Sequence, residues 1–171
     1  MKFLPPLLLG LLPCLGAFGQ KLSCSCEALL DTEYKSALQI LAKPNGRVLR
    51  SVKHDFRAED YLVLTIDQEA GDFFHGKVAY AISGRAYQGW VRKSARLGLY
   101  TRNYGPAPLA LYRQPAATAG KIRVPAAATG FYSLRHCAGK WAYVQVAYKK
   151  HPYEGWLPPN RQCANHYTTC N

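Results

Sequence analysis

The chain repeats itself. Residues 70–90, AGDFFHGKVAYAISGRAYQGW, and residues 138–156, AGKWAYVQVAYKKHPYEGW, share one skeleton. Each opens on Ala-Gly, one residue and an aromatic (Phe73, Trp141). Each places Val-Ala-Tyr eight residues after its alanine and closes on Tyr-x-Gly-Trp, at Gly89-Trp90 and Gly155-Trp156. The offset is 68 for the first two blocks and 66 for the last. The slip falls in ISGRA against KKHP, where a hairpin loop absorbs it. Upstream, Leu109 to Pro115 matches Leu38 to Pro44 at an offset of 71. Every length change thus lies in a loop, and the pattern reads as two copies of one small unit.

Each copy is a run of short strands separated by turns. Tyr61 to Ile66, Phe73 to Ile82 and Tyr87 to Arg92 are extended in the first copy. Phe131 to Arg135, Trp141 to Tyr148 and Gly155 to Leu157 are extended in the second. Pro44-Asn45-Gly46 turns the chain, and no segment keeps a helical period. The fold class expected is all-β, with small barrels built from these strands.

The organisation follows. Residues 1–19 read as a signal peptide, with Lys2 ahead of the apolar FLPPLLLGLLPCLG and cleavage between Gly19 and Gln20. That predicts a secreted or periplasmic protein with no transmembrane segment. Residues 20–36 are a polar lead, with a helical turn as one reading of Glu27 to Tyr34. Residues 37–104 form the first domain, with Leu97, Leu99 and Tyr100 as its last strand. Residues 105–108 are a linker, 109–159 the second domain and 160–171 a tail containing cysteines.

Charge is uneven. Residues 20–104 hold 13 basic and 9 acidic residues, whereas residues 105–171 hold 8 basic residues against Glu154 alone. The second half is the face for an anionic partner, or else simply a solvated surface. Five cysteines follow the signal: Cys24, Cys26, Cys137, Cys163 and Cys170. Export favours disulfides, and an odd number leaves one thiol over. Cys163 and Cys170 flank a short polar loop and are the pair expected to bridge. A zinc site at Cys163, His166 and Cys170 lacks a fourth ligand, so no metal and no cofactor is expected.

A Leu-x-[Ile/Leu] strand, a proline-containing loop, an aromatic-led strand and Gly-Trp-[Val/Leu] (Gly89-Trp90-Val91, Gly155-Trp156-Leu157) resemble the bacterial SH3-like (SH3b) domain. The resemblance covers most of residues 37–159. It implies two tandem five-stranded SH3-like β-barrels and non-catalytic binding, often to cell-wall peptides or glycans. The second copy is also similar to the peptide-binding SH3 domains in Ala110-Leu111-Tyr112 and in Gly155 to Asn160. It departs from them at Arg161, where their groove tyrosine would stand.

The site expected is on the second copy. Trp90 and Trp156 lie in the repeated strand motif, where packing is the plainer role. Trp141 heads a strand beside Gly139-Lys140, a position suited to stacking on sugars or proline rings. Tyr112, Tyr132 and Tyr143 would line the same groove. Lys149-Lys150 occupies a hairpin loop and is either a solvated turn or a contact for phosphate or carboxylate groups. The partner expected is a cell-wall glycan or peptide, or alternatively a protein docked by strand addition. Export argues against nucleic acid. No enzyme is expected: the five histidines are scattered, and His136 and Cys137 point to opposite faces of a strand.

Overall fold

The computed structural model describes residues 23–102, 108–128 and 130–168. The expected signal peptide, residues 105–107 of the expected linker and Cys170 lie outside the described residues. The protein is all-β. Among the described residues the strands are β1 (Cys26–Leu30), β2 (Leu38–Leu41), β3 (Val48–Val52), β4 (Leu62–Ala70), β5 (Phe73–Tyr80), β6 (Ala86–Arg92) and β7 (Leu97–Thr101). The second copy continues with β8 (Leu109–Tyr112), β9 (Lys121–Val124), β10 (Tyr132–Ala138), β11 (Trp141–Tyr148) and β12 (His151–Leu157). A 3-10 turn, Pro159–Arg161, leads into β13 (Gln162–Cys163). No helix among the described residues is long and apolar enough to cross a membrane.

The strands form one open antiparallel sheet in the order β3-β2-β6-β5-β4-β1-β7-β10-β11-β12-β8-β9, with β13 beside β7. That order is a palindrome. The first copy runs from β3 inward to β1, and the second half runs from β7 outward to β9 in the same internal sequence, so β7, expected as the last strand of the first domain, lies between β1 and β10. The two lead strands meet in the middle, Leu29 opposite Gly98 and Leu30 opposite Leu97. The expected pair of barrels is therefore coarser in fact: an all-β chain whose two copies share one continuous sheet. The physical reason is that β1 and β7 satisfy each other's backbone groups.

The repeat holds in fine detail. The β4–β5 ladder shifts register between Ile66 and Gln68, and the β10–β11 ladder shifts between Leu134 and His136. Those bulges sit at the offset of 68 that relates the sequences. Gly89 and Gly155 share a role as well. A Cβ on Gly89 would stand 2.6 Å from Ile40 Cγ2 and 2.8 Å from Leu41 O. At Gly155 it would meet Leu111 Cβ and Tyr112 O, each at 3.0 Å. The glycine of each Gly-Trp motif lets the strand of the preceding hairpin cross close over it.

One apolar cluster spans both copies, including Ile40, Phe74 and Val91 with Leu111, Leu134, Val144 and Leu157. The lead is not a helical turn. β1 buries Cys26, Ala28, Leu29 and Leu30 and exposes only Glu27. It lies between β4 and β7, so both its edges are paired.

The tail after β13 returns to the first copy. Tyr167 donates its hydroxyl to Glu59 O (2.7 Å) and accepts the Tyr61 N–H (3.1 Å). Buried His54 accepts the Leu62 N–H at Nδ1 (2.9 Å), so its Nε2 carries the proton and donates to Asp31 O (3.1 Å). His166 stands 6.0 Å from it, ring to ring, with Nε2 against Leu62 O (3.2 Å) and a buried, unpartnered Nδ1. Burial pulls both imidazoles below the ordinary histidine range. The folded state thus prefers them neutral. Their stabilising effect is complete above the unfolded histidine value, about 6.5, and declines as pH falls through it. Thermal melts are expected to show a lower Tm at pH 5 than at pH 7.5. The His166→Phe variant, which keeps a ring without a proton site, should show a smaller drop; an equal drop would remove His166 from this account.

Candidate functional site

The outer face of the second copy carries a row of rings that crosses the strands. Alternation turns Ala142, Val144 and Leu157 into the core and leaves Trp141, Tyr143 and Trp156 half-buried on the other side. Register then aligns the strands. His136 stands opposite Tyr143, Tyr143 opposite Trp156, Trp156 opposite Tyr112, and Tyr112 opposite Lys121. The row therefore runs over five adjacent strands, β10-β11-β12-β8-β9.

Edge-to-face contacts tie the rings together. Centroids are 5.7 Å apart for His136–Tyr143, 5.3 Å for Tyr143–Trp156 and 5.4 Å for Tyr112–Trp141. Lys121 Nζ lies 5.4 Å from the centre of the Tyr112 ring. Burial, helped by nearby Glu154, pushes the Tyr143 phenol up. Such a face offers flat apolar surface for stacking, hydroxyl and indole donors at its rim, and a cation at one end.

The bulge creates the row's first member. The extra residue, Arg135, turns aside to Gln145, donating from Nε (3.1 Å) and a terminal nitrogen (2.6 Å). His136 is thereby brought into phase with Tyr143. Its Nδ1 contacts Glu69 Oε1 at 2.6 Å. Glu69, at the end of β4, also accepts Lys93 Nζ (2.6 Å) and the Cys137 N–H (2.9 Å). Burial raises the Glu69 carboxyl, but Lys93, the Cys137 amide and His136 outweigh it and hold it below its ordinary value. A carboxylate from the first copy thus braces the face of the second.

The first copy has no such row. His75 holds the place of Tyr143, and its ring lies 5.0 Å from Trp90, but Nδ1 is engaged by Asp67 at 2.6 Å. Leu41 stands where Tyr112 does, opposite Trp90. Phe73, the counterpart of Trp141, is buried. Beside it lies an open groove of about 580 Å³, lined by Tyr34, Leu38, Leu41, Val48 and Phe73 among others.

Of the residues singled out from sequence, Trp141, Tyr112 and Tyr143 come together, with Trp156 joining them. Tyr132 does not: it is wholly buried, its hydroxyl donating to Ala128 O (2.7 Å). Lys149 and Lys150 form the β11–β12 turn, both with positive φ (48° and 67°). Lys149 is six residues along the strand from Tyr143, about 20 Å, so the lysine pair is remote from the rings. Cys163 is buried in β13, and its expected partner Cys170 lies outside the described residues. The same holds for the zinc reading, in which His166 instead faces the Leu62 carbonyl. Sequence reasoning missed His136, Lys121 and Glu69. No sequence pattern marks the bulge that turns His136 outward, since it is defined by strand register.

Comparison with protein families, curated proteins and solved structures finds no match to this chain.

Proposed function

We propose that this is an exported, non-catalytic SH3-like binding protein that holds an anionic cell-wall glycan or peptide, of the peptidoglycan kind, on the outer face of its second repeat. The observation that carries the reading is the continuous row His136–Tyr143–Trp156–Tyr112–Lys121, with Trp141 against it. Half-buried rings fixed by strand register stack on sugars with little loss of side-chain freedom. The excess of basic over acidic residues after residue 104 suits an anionic polymer.

The test is co-sedimentation with purified peptidoglycan across a salt series. Saturable binding is expected, weakened by salt and about tenfold by Trp141→Ala or Tyr143→Ala. Lys149→Ala with Lys150→Ala should change it little. Absence of binding at low salt would sink the reading.

A second reading, docking of an extended protein segment by strand addition, is favoured by β3. It is a sheet edge with Val48 46% and Leu49 39% exposed. Salt-insensitive capture of a peptide, abolished by proline in β3 and indifferent to Trp141, would select it.

A further inference from the structure

Three thiols from the two halves of the sequence meet beneath the seam of the sheet. Cys24 and Cys26 are two residues apart on an extended segment, so both point inward, while Ser23, Ser25 and Glu27 face solvent. The segment passes along the β10–β11 turn: Ser25 N–H donates to Gly139 O (2.7 Å) and Gly139 N–H to Ser23 O (2.8 Å). Cys137, the next inward residue of β10, is delivered to the same spot. Its Sγ lies 2.7 Å from Cys26 Sγ. Cys24 Sγ donates to Cys137 O at 3.3 Å. All three side chains are buried, at 7%, 1% and 1% exposure for Cys24, Cys26 and Cys137.

We propose that Cys26 and Cys137 form a disulfide that staples the lead strand of the first repeat to β10 of the second, with Cys24 the thiol left over. The inference is independent of any ligand. It accounts for the odd cysteine number if Cys163 pairs elsewhere in the tail. Cys26 rather than Cys24 is the partner because its sulfur stands 2.7 Å from the Cys137 sulfur, closer than the thiol–carbonyl contacts of the cluster (Cys26 to Trp141 O 3.2 Å, Cys24 to Cys137 O 3.3 Å).

The reaction is thiol–disulfide exchange with a small-molecule disulfide such as glutathione disulfide. The Cys137 thiolate attacks one glutathione sulfur and releases a glutathione thiolate, which takes up a proton. The Cys26 thiolate then attacks the mixed disulfide at Cys137 and displaces the second glutathione. Two protein thiols are oxidised and one glutathione disulfide is reduced to two glutathiones. The order of events is set by burial. The hydrogen bond from Cys24 draws the Cys137 thiol down, but the contact with Cys26 and burial outweigh it and push it up. Cys24 is pushed up by its bond to Cys137 and by burial. Thiolates are therefore scarce in the folded sheet, and exchange belongs to the stage before β1 and β10 close over the sulfurs.

The test is a non-reducing tryptic map of the full chain refolded in a glutathione redox buffer. The peptide LSCSCEALLDTEYK (22–35) should be joined to HCAGK (136–140), with fragment ions placing the link on Cys26. Cys24 should take an alkylating label in denaturant without reductant. Cys24→Ser should keep the link. Cys26→Ser should lower the Tm of the oxidised protein by about 10 °C. Labelling of Cys26 and Cys137 along with Cys24 in unreduced, denatured wild type, or fragment ions placing the link on Cys24, would overturn the assignment, and neither readout depends on a variant folding.

Discussion

Replacing Gly98 by alanine is expected to destabilise the fold by about 3 kcal/mol or more, because backbone rather than side chain stands in the way. Gly98 lies in β7, where it faces Leu29 of β1 on one side and Ser133 of β10 on the other. An added Cβ would sit 2.0 Å from the Tyr132 carbonyl oxygen and 2.9 Å from Phe131 Cε1. Neither neighbour yields cheaply. Tyr132 is wholly buried, and Phe131 is packed on Tyr100 with ring centroids 5.6 Å apart. Relief would require β7 and β10 to separate, next to the β1–β7 pairing where the two repeats join. Urea unfolding measures the effect. Gly71→Ala is the control: Gly71 has φ +51° with nothing within 4 Å of the added carbon, so only backbone strain of about 1 kcal/mol is expected there. Equal midpoints for the two variants would mean that the seam is not packed this way.

Glu69→Ala is expected to cost about 3 kcal/mol. The carboxylate is 16% exposed and its partner Lys93 10%. Removing it leaves the ammonium without its counter-charge and the Cys137 N–H without an acceptor. Lys93 keeps one consolation, the Phe74 ring 4.8 Å away, which places the cost at the low end for a broken buried pair. Acid gives an independent check. The Glu69 value is depressed in the folded state, so its stabilisation is complete above the ordinary glutamate value of about 4.3 and is lost as pH falls through the folded value. The gap in unfolding free energy between wild type and Glu69→Gln should therefore close below pH 4. This window lies below that of His54 and His166, so the two effects separate on one pH series. A gap that stays constant to pH 3 would assign the loss to packing instead of charge.

Most of the strands were legible because the chain states them twice. Val-Ala-Tyr and Gly-Trp recur with their flanking apolar alternation, and β4 to β6 and β10 to β12 lie close to the segments that pattern marks. β1 was not legible. CEALL is short, carries a glutamate and two residues that pack well anywhere, and lacks alternation because it is buried along nearly its whole length. The palindromic strand order was invisible for a different reason. Whether β7 returns to β4 or pairs with β1 is decided between two nearly equivalent edges, and no local residue pattern distinguishes them. Trp141, Tyr112 and Tyr143, singled out from residue type and strand position, come together on one face. Tyr132 was placed in the groove by residue type alone, whereas alternation with Leu134 turns it into the core.

The central β1–β7 pairing has a consequence for how such a chain can vary. A protein with one repeat would end in an unpaired lead strand, and its remedy would be a homodimer joined edge to edge about a two-fold axis. In a symmetric dimer both outer faces must be identical, since both are written by one stretch of sequence. Joining the copies in a single polypeptide makes the pairing intramolecular, with no dependence on protein concentration, and releases each half from copying the other. Here that freedom is visible at one position, where the first half turns Phe73 inward to fill its core and the second leaves Trp141 at the surface.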